Sequence, residues 1–368
     1  MPPNIKNVHQ YVLSAGAIAD VPAMVARRRG ERSARSRAIG AVFLIDDYFG
    51  GPQRSETLRT LGVEPNDAVR FVATAHEPST DVIDDLVADL RAAGHVAPCV
   101  VTGMGGGITL DTAKAVANLF TNPGKAADYQ GWDLVRNPGV YKIGIPTISG
   151  TGAESSRTCV MTNHDTGLKL GMNSDHTLYD QLVLDPDLTA TVDRNQYFHT
   201  GMDAYLHCVE SLSGRYRHPI GDALSEEVIN LCRRVFIGGD MMSPKNRERL
   251  MTASYLGGCA LATSFVGVVH PMSSGLSVVL GIHHGVANCI TMLAMDDFYP
   301  DACREFREMI QAQGVSIPEG VCAGLTDDQL ARMCAAASLH DKPLMNALGP
   351  NFRDTLGRAR MMNLFRRM

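Results

Sequence analysis

An α/β domain built on a mostly parallel sheet, followed by an all-α domain, is the architecture that this 368-residue sequence predicts. Three observations point to it. Short β-branched runs alternate with helix-period patterns through the first half of the chain. Strand signals almost vanish beyond about residue 196. Between the two, Asp185-Pro-Asp-Leu-Thr-Ala-Thr-Val-Asp193 carries turn residues at the place where the period switches. The predicted domains are residues 1–193 and 194–368.

In chain order, the expected strands are residues 41–46, 70–74, 98–103 and 143–147. Between them, residues 81–93 place Val82, Leu86, Val87 and Leu90 at helical spacing, and residues 110–120 repeat the pattern. Three further short strands, at 159–162, 169–172 and 182–185, are expected to decorate the sheet. Helices are expected at 200–212, 221–236, 247–262, 284–295, 327–340 and 352–365.

Apolar residues make up 45% of the chain and charged ones 20%, which excludes a disordered or fibrous protein. The net charge of -5 gives no global basic surface for nucleic acid or an anionic membrane. The N-terminus lacks the basic start and apolar run of a signal peptide, and no apolar stretch is long enough to span a bilayer. Nine scattered cysteines without a CxxC pair read as reduced, buried thiols of a cytoplasmic protein. The basic run Arg27, Arg28, Arg29, Arg32, Arg35 and Arg37 reads as a solvated connection between a first helix and the first strand.

Two loops point to a nucleotide. Thr102-Gly-Met-Gly105-Gly106-Gly107 follows a strand and opens a helix that contains Asp111 and Lys114. Three glycines without Cβ atoms let backbone amides approach a pyrophosphate, and the helix start adds partial positive charge. This is a Rossmann-like arrangement. Downstream, Pro146-Thr147-Ile-Ser149-Gly150-Thr151-Gly152 again follows a strand, with hydroxyls and glycines alternating. Asp46 and Asp47 end the first of the expected strands. A carboxylate there accepts from adenosine ribose hydroxyls and repels a 2′-phosphate, which favours NAD over NADP.

A second group suggests a metal. Asp203 and His207 lie four apart in a helical stretch and so share a face. His270, His283 and His284 follow further on. Three imidazoles with one carboxylate match a borderline divalent ion, Fe²⁺ or Zn²⁺. Cys208 points off that face and reads as core. Glu210, three residues past His207, reads more simply as an ordinary helix carboxylate than as a support for a ligand.

Taken together, Gly105-Gly106-Gly107 … Asp111 … Lys114, Pro146-Thr147 … Gly150-Thr151-Gly152 … Glu154, Gly201-Met-Asp203-Ala … His207 … Glu210 and His284-Gly … Asn288 resemble the iron-dependent (group III) alcohol dehydrogenase family in order and spacing. The resemblance implies a dehydroquinate synthase-like two-domain architecture, with the dinucleotide in a cleft and a metal held by the helical domain. It implies Asp203, His207, His270 and His284 as the catalytic metal ligands and Gly105, Gly106 and Gly107 at the pyrophosphate. Asp46, Asp111, Thr147, Ser149, Thr151 and Lys169 are the further cofactor residues. Ile108 stands where many members carry Ser. Ser274 stands where many carry a second His, so proton release would run through Ser274, His283 or water.

Within the family, Phe43-Leu-Ile-Asp-Asp-Tyr-Phe49, Tyr129-Gln-Gly-Trp-Asp133, Ser155-Ser-Arg-Thr-Cys159, Leu170-Gly-Met-Asn-Ser-Asp175 and Leu276-Ser-Val-Val-Leu280 are similar to the branch that oxidises the C8 hydroxyl of 3-deoxy-D-manno-octulosonate. That likeness implies a sugar-acid substrate, an aldehyde product that feeds an aminotransferase making an 8-amino sugar acid, and a homo-oligomer, expected as a dimer. Arg157, Arg215, Arg217 and His283 are the expected substrate residues, since a guanidinium matches a carboxylate bidentately. Two other readings compete: an NAD- and metal-dependent lyase, which resembles a ligand set with Glu in place of Asp203, and a silent nucleotide-binding subunit, against which all four candidate ligands stand.

Overall fold

The computed structural model describes residues 6–33 and 40–368. By packing, the chain divides into two units. One comprises residues 6–148 and 153–189, the other residues 149–152 and 190–368 among those described. The loop 149–152, expected in the first domain, therefore groups with the helices.

The first unit contains, in order, β1 (Gln10–Leu13), α1 (Val21–Ser33), β2 (Val42–Asp46), α2 (Arg54–Thr60), β3 (Ala68–Val72), α3 (Thr80–Ala92), β4 (Val101–Gly105), α4 (Gly107–Leu119), β5 (Gly131–Trp132), β6 (Lys142–Pro146), β7 (Thr158–Asn163), β8 (Leu168–Asn173) and β9 (Gln181–Leu184). Six strands form one sheet in the order β1-β9-β6-β4-β2-β3, with every pair parallel. The central strands are buried on both faces, which explains continuous apolar runs such as Val42 to Ile45. Two clusters cover the faces, one around Val42, Leu44, Val101 and Val116, the other around Phe43, Ile45, Ile143 and Val183.

Two expectations need correction here. The strand expected at 182–185 is no decoration: as β9 it lies inside the main sheet, paired with both β1 and β6. Only β7 and β8 stand apart, in a three-stranded sheet with β5. The first half of the basic run is helix and not connection. Arg27, Arg28 and Arg29 lie within α1, where Arg28 stacks over Tyr141 at 3.6 Å and Arg29 pairs with Glu64 and Asp67. Arg35 and Arg37 lie outside the described residues.

The second unit contains α5 (Arg194–Ser213), α6 (Pro219–Phe236), α7 (Pro244–Thr263), α8 (Val269–Leu280), α9 (His284–Met292), α10 (Pro300–Gln313), α11 (Asp327–Ser338), α12 (Asp341–Leu348), α13 (Phe352–Thr355) and α14 (Arg358–Phe365). The single helix expected at 352–365 is two, separated at Leu356 and Gly357, where the backbone turns extended. Asp193 caps α5 by accepting from the amides of Asn195 and Gln196. From Tyr197 to Ser211 nearly every residue of α5 is buried, which makes it the central helix of its unit. Among the described residues no helix is long and apolar enough to cross a membrane, and all nine cysteines are buried.

Candidate active site

In the α/β unit, β2 and β4 are neighbours whose outgoing connections run in opposite directions, β2 to β3 on one side and β4 to β6 on the other. Such a switch point opens a crevice at the carboxyl ends of the two strands. Asp46 ends β2 and Gly105 ends β4, so both expected nucleotide residues lie on that crevice. The first amide of α4 with an acceptor inside the helix is that of Leu110, bonded to Gly106 O at 3.0 Å. The amides of Gly107, Ile108 and Thr109 have no acceptor inside the helix, as at any helix start.

The glycines also serve packing. A Cβ on Gly105 would sit 2.7 Å from Thr109 Oγ1 and 2.9 Å from Asp46 Cβ, and one on Gly106 would sit 3.0 Å from Ile148. Asp46 accepts from the amide of Tyr48 at 3.0 Å. Burial lifts its carboxyl above the usual range, against the lowering effect of the Tyr48 and Gly106 amides.

Other expected cofactor residues have hydrogen-bond or ion-pair partners within their own unit. Asp111 accepts from the Val160 amide at 2.9 Å and from Lys114 Nζ at 3.3 Å, which ties α4 to β7. Lys114 is fully buried, and its ammonium also reaches the Ser156 and Thr158 carbonyls. Lys169 pairs with Glu77 at 3.1 Å. The Thr147 amide donates to Gly105 O at 3.0 Å. In the helical unit, Ser254 Oγ accepts from the amides of Gly150 and Gly152 at 2.8 and 3.3 Å, which fixes the loop that carries Ser149 and Thr151. Gly150 must be glycine: its φ is +141°, and a Cβ would lie 1.7 Å from Thr200 O.

The helical unit brings four expected residues together. One face of α5 presents Asp203, His207 and Glu210, spaced four and three apart. His270 comes from the first turn of α8 and His284 from the first residue of α9. Ligand atoms of Asp203, His270 and His284 lie within 4.8 Å of one another. Asp203 Oδ1 is 3.1 Å from His270 Nε2 and 3.5 Å from His207 Nε2, and Oδ2 is 3.5 Å from His284 Nε2. Donors about 2.0–2.1 Å from a tetrahedral ion stand roughly 3.3 Å apart, so these spacings fit one cation. The His207 ring stacks on His270 with centroids 4.6 Å apart.

Electrostatics agree with that fit. Asp203 is 1% exposed. Burial works against its ionisation, yet His207, His284 and His270 hold its carboxyl well below the usual range. Burial, helped by the other two imidazoles, pushes His207 down to about 3, so it is a neutral donor. Burial also opposes charge on His270, but Glu210 and Asp203 outweigh it and lift the ring to about 10.

Two residues there have contacts that their sequence positions did not reveal. Asn288, buried, donates from Nδ2 to Asp203 Oδ1 at 2.7 Å and lies 3.3 and 3.2 Å from Nε2 of His270 and His284. Its signal was the four-residue step from His284 along α9. Glu210 is no ordinary helix carboxylate: it is fully buried and bonded to His270 Nδ1.

The expected substrate residues belong to both units, Arg157 to the α/β unit and Arg215, Arg217 and His283 to the helical one. Arg157 lies in the α/β unit, paired with Asp133 and with Asp175 at 3.1 Å. Arg217 pairs with Asp222 at 3.0 Å. Arg215 is exposed, its guanidinium beside Gly349, and has no ion pair among the described residues. His283 is exposed and precedes α9. Ser274 donates its proton to Pro271 O at 2.7 Å within its own helix.

The "Iron-containing alcohol dehydrogenase" family matches residues 42–186, and the "Fe-containing alcohol dehydrogenase family, C-terminal" matches residues 197–342. A 4-hydroxybutyrate dehydrogenase of Cupriavidus necator is 30% identical over 267 residues, 68% of each chain. The chain belongs to the iron-containing alcohol dehydrogenase family. A sulfoacetaldehyde reductase of Bilophila wadsworthia is 35% identical over 215 residues, 57% of this chain, which spans about half of that relative's length (54%). In fold, the chain is similar to the sulfoacetaldehyde reductase of Bifidobacterium kashiwanohense solved with NAD+. That likeness has a TM-score of 0.80 at 18% identity and covers 99% of this chain and 98% of that one.

Proposed function

We propose that the chain is a divalent-metal-dependent alcohol dehydrogenase that oxidises a primary hydroxyl to an aldehyde by hydride transfer to NAD, and runs the same step in reverse. The observation that carries this reading is the convergence of Asp203, His270 and His284 from α5, α8 and α9 at donor spacing, with His207 Nε2 3.5 Å from Asp203 Oδ1. When bound, Fe²⁺ or Zn²⁺ supplies a Lewis acid that lowers the pKa of a hydroxyl group by several units. Asp203, His207, His270 and His284 would hold the ion. Asp203 contributes compensating charge and His207 a neutral lone pair, while the Asn288 amide keeps the Asp203 carboxylate from rotating. Gly105, Gly106 and Gly107 would receive the pyrophosphate at the start of α4. Asp46 would accept from the adenosine ribose and favour NAD over NADP, and Thr147, Ser149, Thr151 and Lys169 would make the remaining contacts.

The substrate, on this reading, carries an acid group. The names of two relatives specify sulfoacetaldehyde and 4-hydroxybutyrate, and both compounds are acids. A sugar acid such as 3-deoxy-D-manno-octulosonate, oxidised at its C8 hydroxyl, is the specific form we favour, with an aminotransferase consuming the aldehyde. Of the expected arginines, Arg215 is the one whose fork is not already paired with a carboxylate.

The test is to strip the protein with a chelator, reload it anaerobically with Fe²⁺ or Zn²⁺, and follow NADH formation across alcohols that include 4-hydroxybutyrate and the octulosonate. Turnover is expected only in reloaded protein, and His270→Ala is expected to abolish it while the circular dichroism spectrum stays the same. Equal turnover in stripped protein, or in His270→Ala, would contradict the reading.

A further inference from the structure

We propose that Glu210 is a positioning residue that fixes the orientation and tautomer of His270, and so sets how tightly the Asp203 cluster holds a divalent cation; this rests on reading that cluster as a metal centre. Glu210 is fully buried, and both of its oxygens are in use. Oε2 faces His270 Nδ1, and Oε1 accepts from the Val269 amide at 2.5 Å. The Tyr299 hydroxyl also lies against the carboxylate and accepts from the Val268 amide at 3.1 Å. The chain ahead of His270 is wrapped so closely that a Cβ on Gly267 would sit 2.3 Å from the Tyr299 hydroxyl and 3.1 Å from Glu210 Oε1. Residues 267–270 thus wind around a single carboxylate.

The consequence is chemical. A ring that gives its Nδ1 proton to Glu210 keeps its lone pair on Nε2, the atom that stands 3.1 Å from Asp203 Oδ1. The opposite tautomer would set a lone pair against the carboxylate and turn an N–H toward the donors. A glutamine at 210 offers one oxygen to two donors, so either His270 or the Val269 amide goes unmatched. Loss of such a support typically lowers metal affinity 10- to 100-fold.

The experiment measures Zn²⁺ affinity of stripped protein by competition with a chromophoric chelator, for the parent, Glu210→Gln, Glu210→Asp and Tyr299→Phe. Side-chain ¹⁵N spectra of the zinc-loaded proteins provide the second readout. Glu210→Gln should bind zinc about 10- to 100-fold more weakly. It should also lose the exchange-protected Nδ1 proton that His270 shows in the parent. Tyr299→Phe, which leaves both acceptors of Glu210 in place, should keep that proton. Glu210→Asp, which retains the charge but retracts it, should fall between, and it carries the test if the glutamine variant does not fold. Parental affinity together with an unchanged Nδ1 signal in the Glu210 variants would overturn the role of Glu210 alone. A parent protein that binds no zinc would overturn the metal centre, and this proposal with it.

Discussion

Asp46 occupies the last position of β2, its carboxylate held by the Tyr48 amide and its Cβ against Gly105. A carboxylate at that position can accept from the hydroxyls of a ribose seated in the crevice beyond the two strand ends. Asp46→Ala should therefore leave the fold intact while narrowing the preference for NAD over NADP by roughly tenfold, about 1.4 kcal/mol. The ratio of kcat/KM for the two cofactors measures this, and an unchanged ratio would remove Asp46 as the selector. At this scale the sequence was legible wherever spacing within one element carried the signal. Asp203 and His207 share a face because they are four apart. Glu210 shares that face too, yet nothing local distinguishes a carboxylate facing solvent from one facing a histidine 60 residues away. Asp111 and Lys169 show the reverse case: their motifs were visible, but their partners Val160 and Glu77 come from other elements.

Among the elements, α5 was legible from its apolar period, whereas α8 was not. Ser273, Ser274, Gly275 and Ser277 weaken its propensity, and Pro271 in its first turn resembles a break. Packing forms the helix all the same: Met272 and Leu276 are fully buried, and a Cβ on Gly275 would lie 2.9 Å from Met333 O of α11. The start of α5 carries a pH-dependent contact. His199 bonds Ser316 O through Nε2 at 3.1 Å, and burial lowers its pKa below the ordinary value, against the raising effect of Ser316. The unfolded chain then binds more protons than the folded one in the window below about 6.5, so stability rises with pH there and is lost as pH falls. Thermal melts of ion-free protein between about pH 7 and pH 5 should show a steeper decline for the parent than for His199→Gln. Superimposable slopes would show that His199 contributes nothing to that decline.

For the molecule as a whole, the two-part division was legible because strand–helix alternation and continuous helix leave different periods in the sequence. The order of the sheet was less so. β1 is an exposed edge strand of four residues with no distinctive pattern, and its parallel pairing with β9, some 170 residues away, is a tertiary fact. Both proposed sites follow from this plan: a switch point between β2 and β4 that would take an anionic nucleotide, and one face of a buried helix, completed by two helix starts, that would take a cation. The most direct test of the central claim is an X-ray absorption spectrum at the metal edge of the zinc-loaded protein. The account predicts one zinc per chain with three imidazoles and one carboxylate oxygen at about 2.0–2.1 Å. Sulfur at about 2.3 Å, or fewer than two imidazoles, would contradict it.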